Sequence, residues 1–300
     1  MRVKELDLDL LAMLKDPEMR AKRKVLSRIL EGAWTTVLKG RGMEFAGFRK
    51  YEYGDDASTI DWGATLRSKD TLIREFEEYK NITVFFLLDV SDSMLFTSAK
   101  KMKAEYAAEA MFTLAAAILD NSDSVGFALF TDEMVAKLYP GVGNPVIYQM
   151  AIELQKPRNY GGNFSLKQAV NIVEGYLKTK VLIILVSDFI GMDPGWERYI
   201  KIMAQKHELI GVAIRDPRER ELPNIGAQFL IQDPFTKEKL YVDMKQYKEI
   251  YDEVVAKDEK YLRSVFDKAH AGLIVLDPRQ DMLASLLEFF KKRTRILQNT

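Results

Sequence analysis

Phe85-Phe86-Leu87-Leu88-Asp89-Val90-Ser91-Asp92-Ser93-Met94 is the stretch on which the reading of this chain turns. From Ile82 to Leu88 every residue except Thr83 is apolar, the pattern of a strand buried on both faces of a parallel sheet. The run then switches to a carboxylate and two hydroxyls at i, i+2 and i+4, namely Asp89, Ser91 and Ser93. A buried strand that ends this way places oxygen ligands at the carboxyl end of a sheet, where α/β folds bind their ligands. Carboxylate, hydroxyl and water suit Mg²⁺, with Mn²⁺ or Ca²⁺ as alternatives. A strand followed by serines that merely cap the next helix has the same local pattern, so a second element has to decide.

That element lies about a hundred residues downstream. Val181 to Val186 is a second fully apolar strand, and it ends in Ser187-Asp188. Between and beyond the two, strand and helix patterns alternate. A helix is expected over 99–119 with Tyr106, Ala110, Leu114 and Ile118 on one stripe. A strand at 124–130 and an antiparallel return at 134–139 follow, then helices near 144–155, 165–178 and 195–206, and a strand at 208–214. A hairpin over 228–242 turns at Asp233-Pro234-Phe235-Thr236. It is followed by a charged helix at 244–269, a strand at 273–276, and a helix at 280–293 whose last turn carries Lys291-Lys292-Arg293. This alternation predicts an α/β fold over 81–295, a doubly wound, mostly parallel sheet with right-handed crossovers. In such a sheet the two acidic strand ends can be neighbours, and Asp89, Ser91, Ser93 and Asp188 would converge on one hydrated divalent cation.

Residues 1–80 differ. Residues 1–39 carry helical spacing, interrupted at Pro17 and stopped by Gly40 and Gly42. Residues 42–81 interleave aromatics with Arg49, Asp55, Asp56, Asp61 and Arg67, and predict two short strands around a Gly54-Asp55-Asp56 turn. Acids match bases along this stretch, which favours a salt-bridged β appendage packed on the core over a nucleic-acid surface. A partner surface formed by Arg49, Asp55, Asp56, Asp61 and Arg67 is compatible with that role.

Composition narrows the function. Lys+Arg 44 balance Asp+Glu 44 in 300 residues, which leaves no broad basic footprint for nucleic acid. There is no cysteine, which excludes disulfides, zinc thiolates, iron–sulfur clusters and cysteine nucleophiles, and fits a reducing cytoplasm. The first ten residues are charged and lack a signal-peptide core. The apolar run Met111–Leu119 falls well short of the ~20 residues of a membrane span. A cytoplasmic protein is expected.

Asp89-x-Ser91-x-Ser93 with the strand-end Asp188 resembles the metal-ion-dependent adhesion site of von Willebrand factor A domains. A longer signature is similar to domain-of-unknown-function family 58. It begins with Gly42-Met43-Glu44-Phe45-Ala46-Gly47-Phe48-Arg49 and continues through Tyr51, Gly54-Asp55-Asp56, Ile60-Asp61-Trp62, Ala64-Thr65 and Arg67. Asp216-Pro217-Arg218-Glu219, Glu221-Leu222-Pro223, Phe289-Phe290 and Arg293 extend it. The resemblance implies a non-enzymatic A-type domain in which the serines bind Mg²⁺, the aspartates act through water, and a partner carboxylate fills the open position. It also implies a MoxR-type AAA+ ATPase as partner, in the assembly or activation of other proteins.

In one place the chain departs from that pattern. A-type domains usually supply a threonine after a Gly-Gly turn. Here Gly161-Gly162-Asn163-Phe164-Ser165-Leu166 puts Phe164 in that place, with Asn163 or Ser165 as substitute oxygen ligands. The competing class is a Mg²⁺-dependent hydrolase or phosphotransferase using Asp89. An aspartyl phosphotransferase needs a carboxylate at i+2, where Ser91 stands, and no Gly-x-x-x-x-Gly-Lys loop occurs. His207 and His270 lie outside any triad or metal motif, and structural or surface roles are expected for both.

Overall fold

The computed structural model describes residues 6–37, 44–77, 82–222, 228–232 and 238–298. The expected helix stop at Gly40 and Gly42, the hairpin turn at 233–236, and Gly42, Met43 and Pro223 of the signature lie outside the described residues. In chain order the elements are α1 (Leu10–Lys15), α2 (Pro17–Val37), β1 (Glu44–Lys50), α3 (Trp62–Thr65), β2 (Leu72–Glu77), β3 (Thr83–Asp89) and α4 (Lys103–Leu119). Then come β4 (Ser124–Phe130), β5 (Met134–Gly141), α5 (Asn144–Leu154), α6 (Leu166–Tyr176), β6 (Leu182–Ser187), α7 (Glu197–Lys206) and β7 (Glu208–Ile214). The last are α8 (Pro217–Arg220), β8 (Gln228–Gln232), β9 (Lys239–Asp243), α9 (Met244–Lys268), β10 (Gly272–Leu276) and α10 (Met282–Gln298).

Six strands form one sheet in the order β10-β7-β6-β3-β4-β5. All neighbours are parallel except β4 and β5, the antiparallel return expected after Phe130. β3 lies between β4 and β6, so the two apolar runs that end in Asp89 and Asp188 are direct neighbours, with Leu88 opposite Val186. The alternation of a strand divides its side chains between two cores. Val84, Phe86 and Leu88 point into one, against α4, α5, α10 and the N-terminal helices, while Phe85 and Leu87 point into the other, against α6, α7 and α9. At Gly211 the second core comes within reach of the backbone: a Cβ there would lie 2.5 Å from the Phe266 ring.

Three elements depart from the expected pattern. The helix predicted from residue 99 starts at Lys103, and every residue from Lys103 to Ile118 is buried, not one stripe. α2 and α5 cover the faces that the sheet leaves free, so α4 is a central helix, which its alanine-rich composition allows. Helix α10 runs on to Gln298, which moves Lys291-Lys292-Arg293 out of its last turn, and Arg293 instead pairs with Glu208 at the start of β7. The link between β1 and β2 holds more than a turn: a 3-10 turn at Ala57–Thr59 and α3 sit inside it.

α1 and α2 belong to the main core: Leu8, Leu10, Leu26 and Leu30 are buried there, and α2 packs on α4 and α10. β1 and β2 pair antiparallel as a separate ribbon, and β8 and β9 form another.

Candidate metal centre at the carboxyl edge of the sheet

Asp89 is the last residue of β3 and is fully buried. Both of its oxygens are occupied: Ser91 N–H donates to Oδ1 at 2.9 Å and Ser187 Oγ donates to Oδ2 at 2.7 Å. The second bond is a direct tie from β3 to the end of β6. Ser91 and Ser93 are buried behind Asp89 with their hydroxyl oxygens 3.2 Å apart. Burial, and next the charge of Asp188, push the Asp89 carboxyl up to about 7. Asp89, Ser91, Ser93 and Asp188 are therefore brought together at one edge, as two adjacent strand ends require.

Asp188 has a partner that sequence reasoning missed. Its Oδ1 accepts from Ile190 N–H at 3.0 Å, and its Oδ2 accepts from the ammonium of Lys103 at 2.7 Å. Lys103 has no exposed surface, and its Nζ also donates to the carboxylate of Glu219 in α8. Burial works against the lysine's charge, but Asp188 and Glu219 more than offset it and raise its pKa. Glu219 is itself shifted upward, by burial first and by Asp188 in addition, against the pull of Lys103. Glu219 is fixed because its other oxygen accepts from Asp216 N–H at 3.0 Å in a capping box. Asp216 in turn holds Ser98, ahead of α4, through Ser98 N–H at 2.7 Å and the Ser98 hydroxyl. The Asp-Pro-Arg-Glu motif thus clasps the start of α4 to the edge.

A signal for Lys103 existed in the chain. It falls three residues before Tyr106 and seven before Ala110, on the apolar stripe of its helix, where a lysine needs a buried partner.

The third loop crosses the edge. Gly161 and Gly162 both take φ of +112°, a region that favours glycine. Gly161 N–H donates to Val90 carbonyl at 2.8 Å, Asp92 N–H to Gly162 carbonyl at 2.9 Å, and Gly162 N–H to Asp92 Oδ1 at 3.1 Å. Phe164, in the expected threonine place, is buried in the second core with its ring 6.1 Å from that of Phe130. Asn163 is exposed and its side-chain amide faces Asp132 Oδ2 at 3.4 Å, while Ser165 stands at the N-cap of α6 without a side-chain capping bond. Neither is drawn into the Asp89 group by a described hydrogen bond. Phe96, Asp132, Gly162 and Asn163 form the exposed rim of this edge.

The signature residues of the appendage hold their own backbone. Arg49 binds Asp55 through two bonds of 2.7 Å, which keeps the Asp55 carboxyl down at about 2. Asp56 caps the 3-10 turn through Ser58 N–H. Asp61 caps α3 through Ala64 N–H at 2.8 Å and accepts from Arg74 at 2.7 Å. Arg67 donates to Gly63 carbonyl at 3.0 Å. Tyr53, Trp62 and Leu66 are exposed beside them. His207 is buried with Nδ1 3.4 Å from Val181 N–H, a structural place, and His270 is exposed at a φ of +54° after α9, a surface one. No described helix is long and apolar enough to cross a membrane.

The chain is similar to several known proteins. Uncharacterized protein Rv1480 of Mycobacterium tuberculosis is 24% identical over 231 residues, covering 76% of this chain and 71% of that protein. Uncharacterized protein MAV169 of Mycobacterium avium is 25% identical over 132 residues, covering 43% of this chain and 76% of its own. Among solved structures, the conserved hypothetical protein BatB from Bacteroides thetaiotaomicron aligns with a TM-score of 0.47 at 17% identity, over 73% of this chain and 100% of its own. A von Willebrand factor type A structure from Catenulispora acidiphila aligns with a TM-score of 0.40 at 16% identity, over 74% and 43%. The family model described as "Protein of unknown function DUF58" matches residues 47–261, and the chain belongs to that family.

Proposed function

We propose that the chain is a protein-interaction module whose docking surface is the carboxyl edge of its sheet, built around a Mg²⁺ site. The observation that carries the reading is the adjacency of β3 and β6, which sets Asp89, Ser91 and Ser93 beside Asp188. Two features of the donor set fit a small hard cation. The hydroxyl oxygens of Ser91 and Ser93 are 3.2 Å apart, close to the ~3 Å edge of an octahedron whose oxygens lie about 2.1 Å from its centre. Asp188 and Glu219 share a single ammonium, that of Lys103, and Asp89 lies beside Asp188 with hydroxyl and N–H partners only, so carboxylates outnumber cations at this edge.

Ser91 and Ser93 would hold Mg²⁺ directly, with Asp89 and Asp188 orienting waters around it. When bound, the ion supplies a Lewis-acidic position for a carboxylate from a partner. A partner reaches the edge across the rim of Phe96, Asp132, Gly162 and Asn163. The Asp92–Gly162 bonds tie the third loop to the loop after β3 at that rim. The family resemblance points to a MoxR-type AAA+ ATPase as partner. An enzyme reading with Asp89 as nucleophile is less well supported, because both carboxylate oxygens are engaged by Ser91 and Ser187 inside the protein.

Ligand linkage provides the test, since an ion bound only by the native state stabilises it in proportion to ln(1+[L]/Kd). Millimolar Mg²⁺ or Mn²⁺ raises the melting temperature of the wild type and leaves that of Asp89→Ala unchanged. Pull-down of the partner with and without EDTA then separates cation-dependent docking from other modes. Equal melting shifts in the two proteins would sink the cation site.

A further inference from the structure

We propose that Lys103 is a resident counter-cation that sets the strength of the divalent site and keeps binding there weak and reversible. The inference rests on the reading of Asp89, Ser91, Ser93 and Asp188 as that site. Lys103 is wholly buried at the first position of α4, where the positive end of a helix disfavours a lysine. It is retained there by two carboxylates from different elements, Asp188 after β6 and Glu219 in α8. Its side chain also lies 5.8 Å from the centroid of the Phe96 ring, on the exposed rim. Both Asp188 oxygens are in use, one by Ile190 N–H and one by Lys103. An ion that draws on Asp188 Oδ2 therefore shares that oxygen with the ammonium or displaces it.

The same ammonium lowers the net negative charge that attracts an ion. Unit charges a few ångströms apart interact strongly enough in a protein interior to change affinity tenfold or more. Lys103 thus acts in two directions. It fixes the two carboxylates before any ion arrives, and it competes with the ion for them. Glu219 has the opposite influence, because it adds a negative charge and divides the attention of Lys103.

The experiment is a titration of the full-length protein with Mn²⁺, followed by electron paramagnetic resonance of free Mn²⁺ and by calorimetry, on wild type, Lys103→Met, Glu219→Gln and the double variant. Lys103→Met is expected to bind at least tenfold more tightly, Glu219→Gln several-fold more weakly, and the double variant close to wild type. Unchanged or weaker binding by a folded Lys103→Met overturns the proposal. Where Lys103→Met does not melt cooperatively, Glu219→Gln decides alone, and an affinity equal to wild type overturns it. Absence of Mn²⁺ binding in every variant removes the cation site and this role together, whereas measurable binding with one common Kd removes only the role of Lys103.

Discussion

The carboxyl edge and the appendage use the same residue types to opposite ends. At the edge, Asp89, Asp188 and Lys103 have no exposed surface and depend on one another across three elements far apart in sequence. In the appendage, Arg49, Asp55, Asp61 and Arg74 form ion pairs at the surface and cap short turns within about a dozen residues of themselves. The density of charged residues in 44–74 draws the eye, but each local bond competes with water. The edge has fewer charges, and each of them lacks that alternative.

The largest test of this contrast is Lys103→Ala. Leaving the buried Asp188 and the part-buried Glu219 without their cation should cost roughly 3–5 kcal/mol in urea unfolding. A loss within the scatter of surface variants would mean that the edge opens to water. Next is Gly211→Ala, an apolar counterpart in the interior, where a Cβ meets the Phe266 ring at 2.5 Å. Overpacking there should cost about 1–3 kcal/mol in the same assay. A neutral Gly211→Ala would show that α9 shifts freely against β7.

A smaller effect is expected at His207, buried but charged only on protonation. Burial, with Lys206 and Lys180 nearby, depresses its pKa below the ordinary 6.5. The unfolded chain therefore takes up the proton first, and the stability His207 contributes is present above pH 6.5 and lost as pH falls through the folded value. His207→Asn should flatten the decline in melting temperature between pH 7.5 and about 5. An unaltered slope would assign that decline to other groups. The smallest effect is expected for Arg49→Ala, whose partner Asp55 stays solvated, and whose melting curve should overlay wild type at moderate salt. A clear loss there would move the appendage pairs into the same class as the edge.

Much of this was legible in the sequence, and the reasons are local. Val84 to Leu88, ahead of Asp89, and Val181 to Val186, ahead of Ser187-Asp188, are apolar throughout, so their status as central parallel strands follows from residue pattern alone. Their adjacency was open to the sequence only as one possibility of such a sheet, and the strand order supplies it. The Lys103–Glu219 contact was not legible because 116 residues separate the partners, and what joins them is the packing of α4 against the turn after β7. The all-round burial of α4 was missed for a related reason: alanine reads as permissive on any face, and only the neighbours decide whether it is covered. Phe164 was singled out as the odd residue of its loop, and its burial beside Phe130 shows where the apolar side chain goes.

The packing of α1 and α2 over α4 has a practical meaning for dissecting the molecule. A fragment beginning at residue 81 would contain every strand of the main sheet, yet it would lay bare the side of α4 that Leu26 and Leu30 now shield. Such a strip of alanines, methionine and phenylalanine invites self-association. The N-terminal helices serve as a built-in shield, in the way that terminal units close off a repeat array, and attempts to map partner binding with excised domains should retain them.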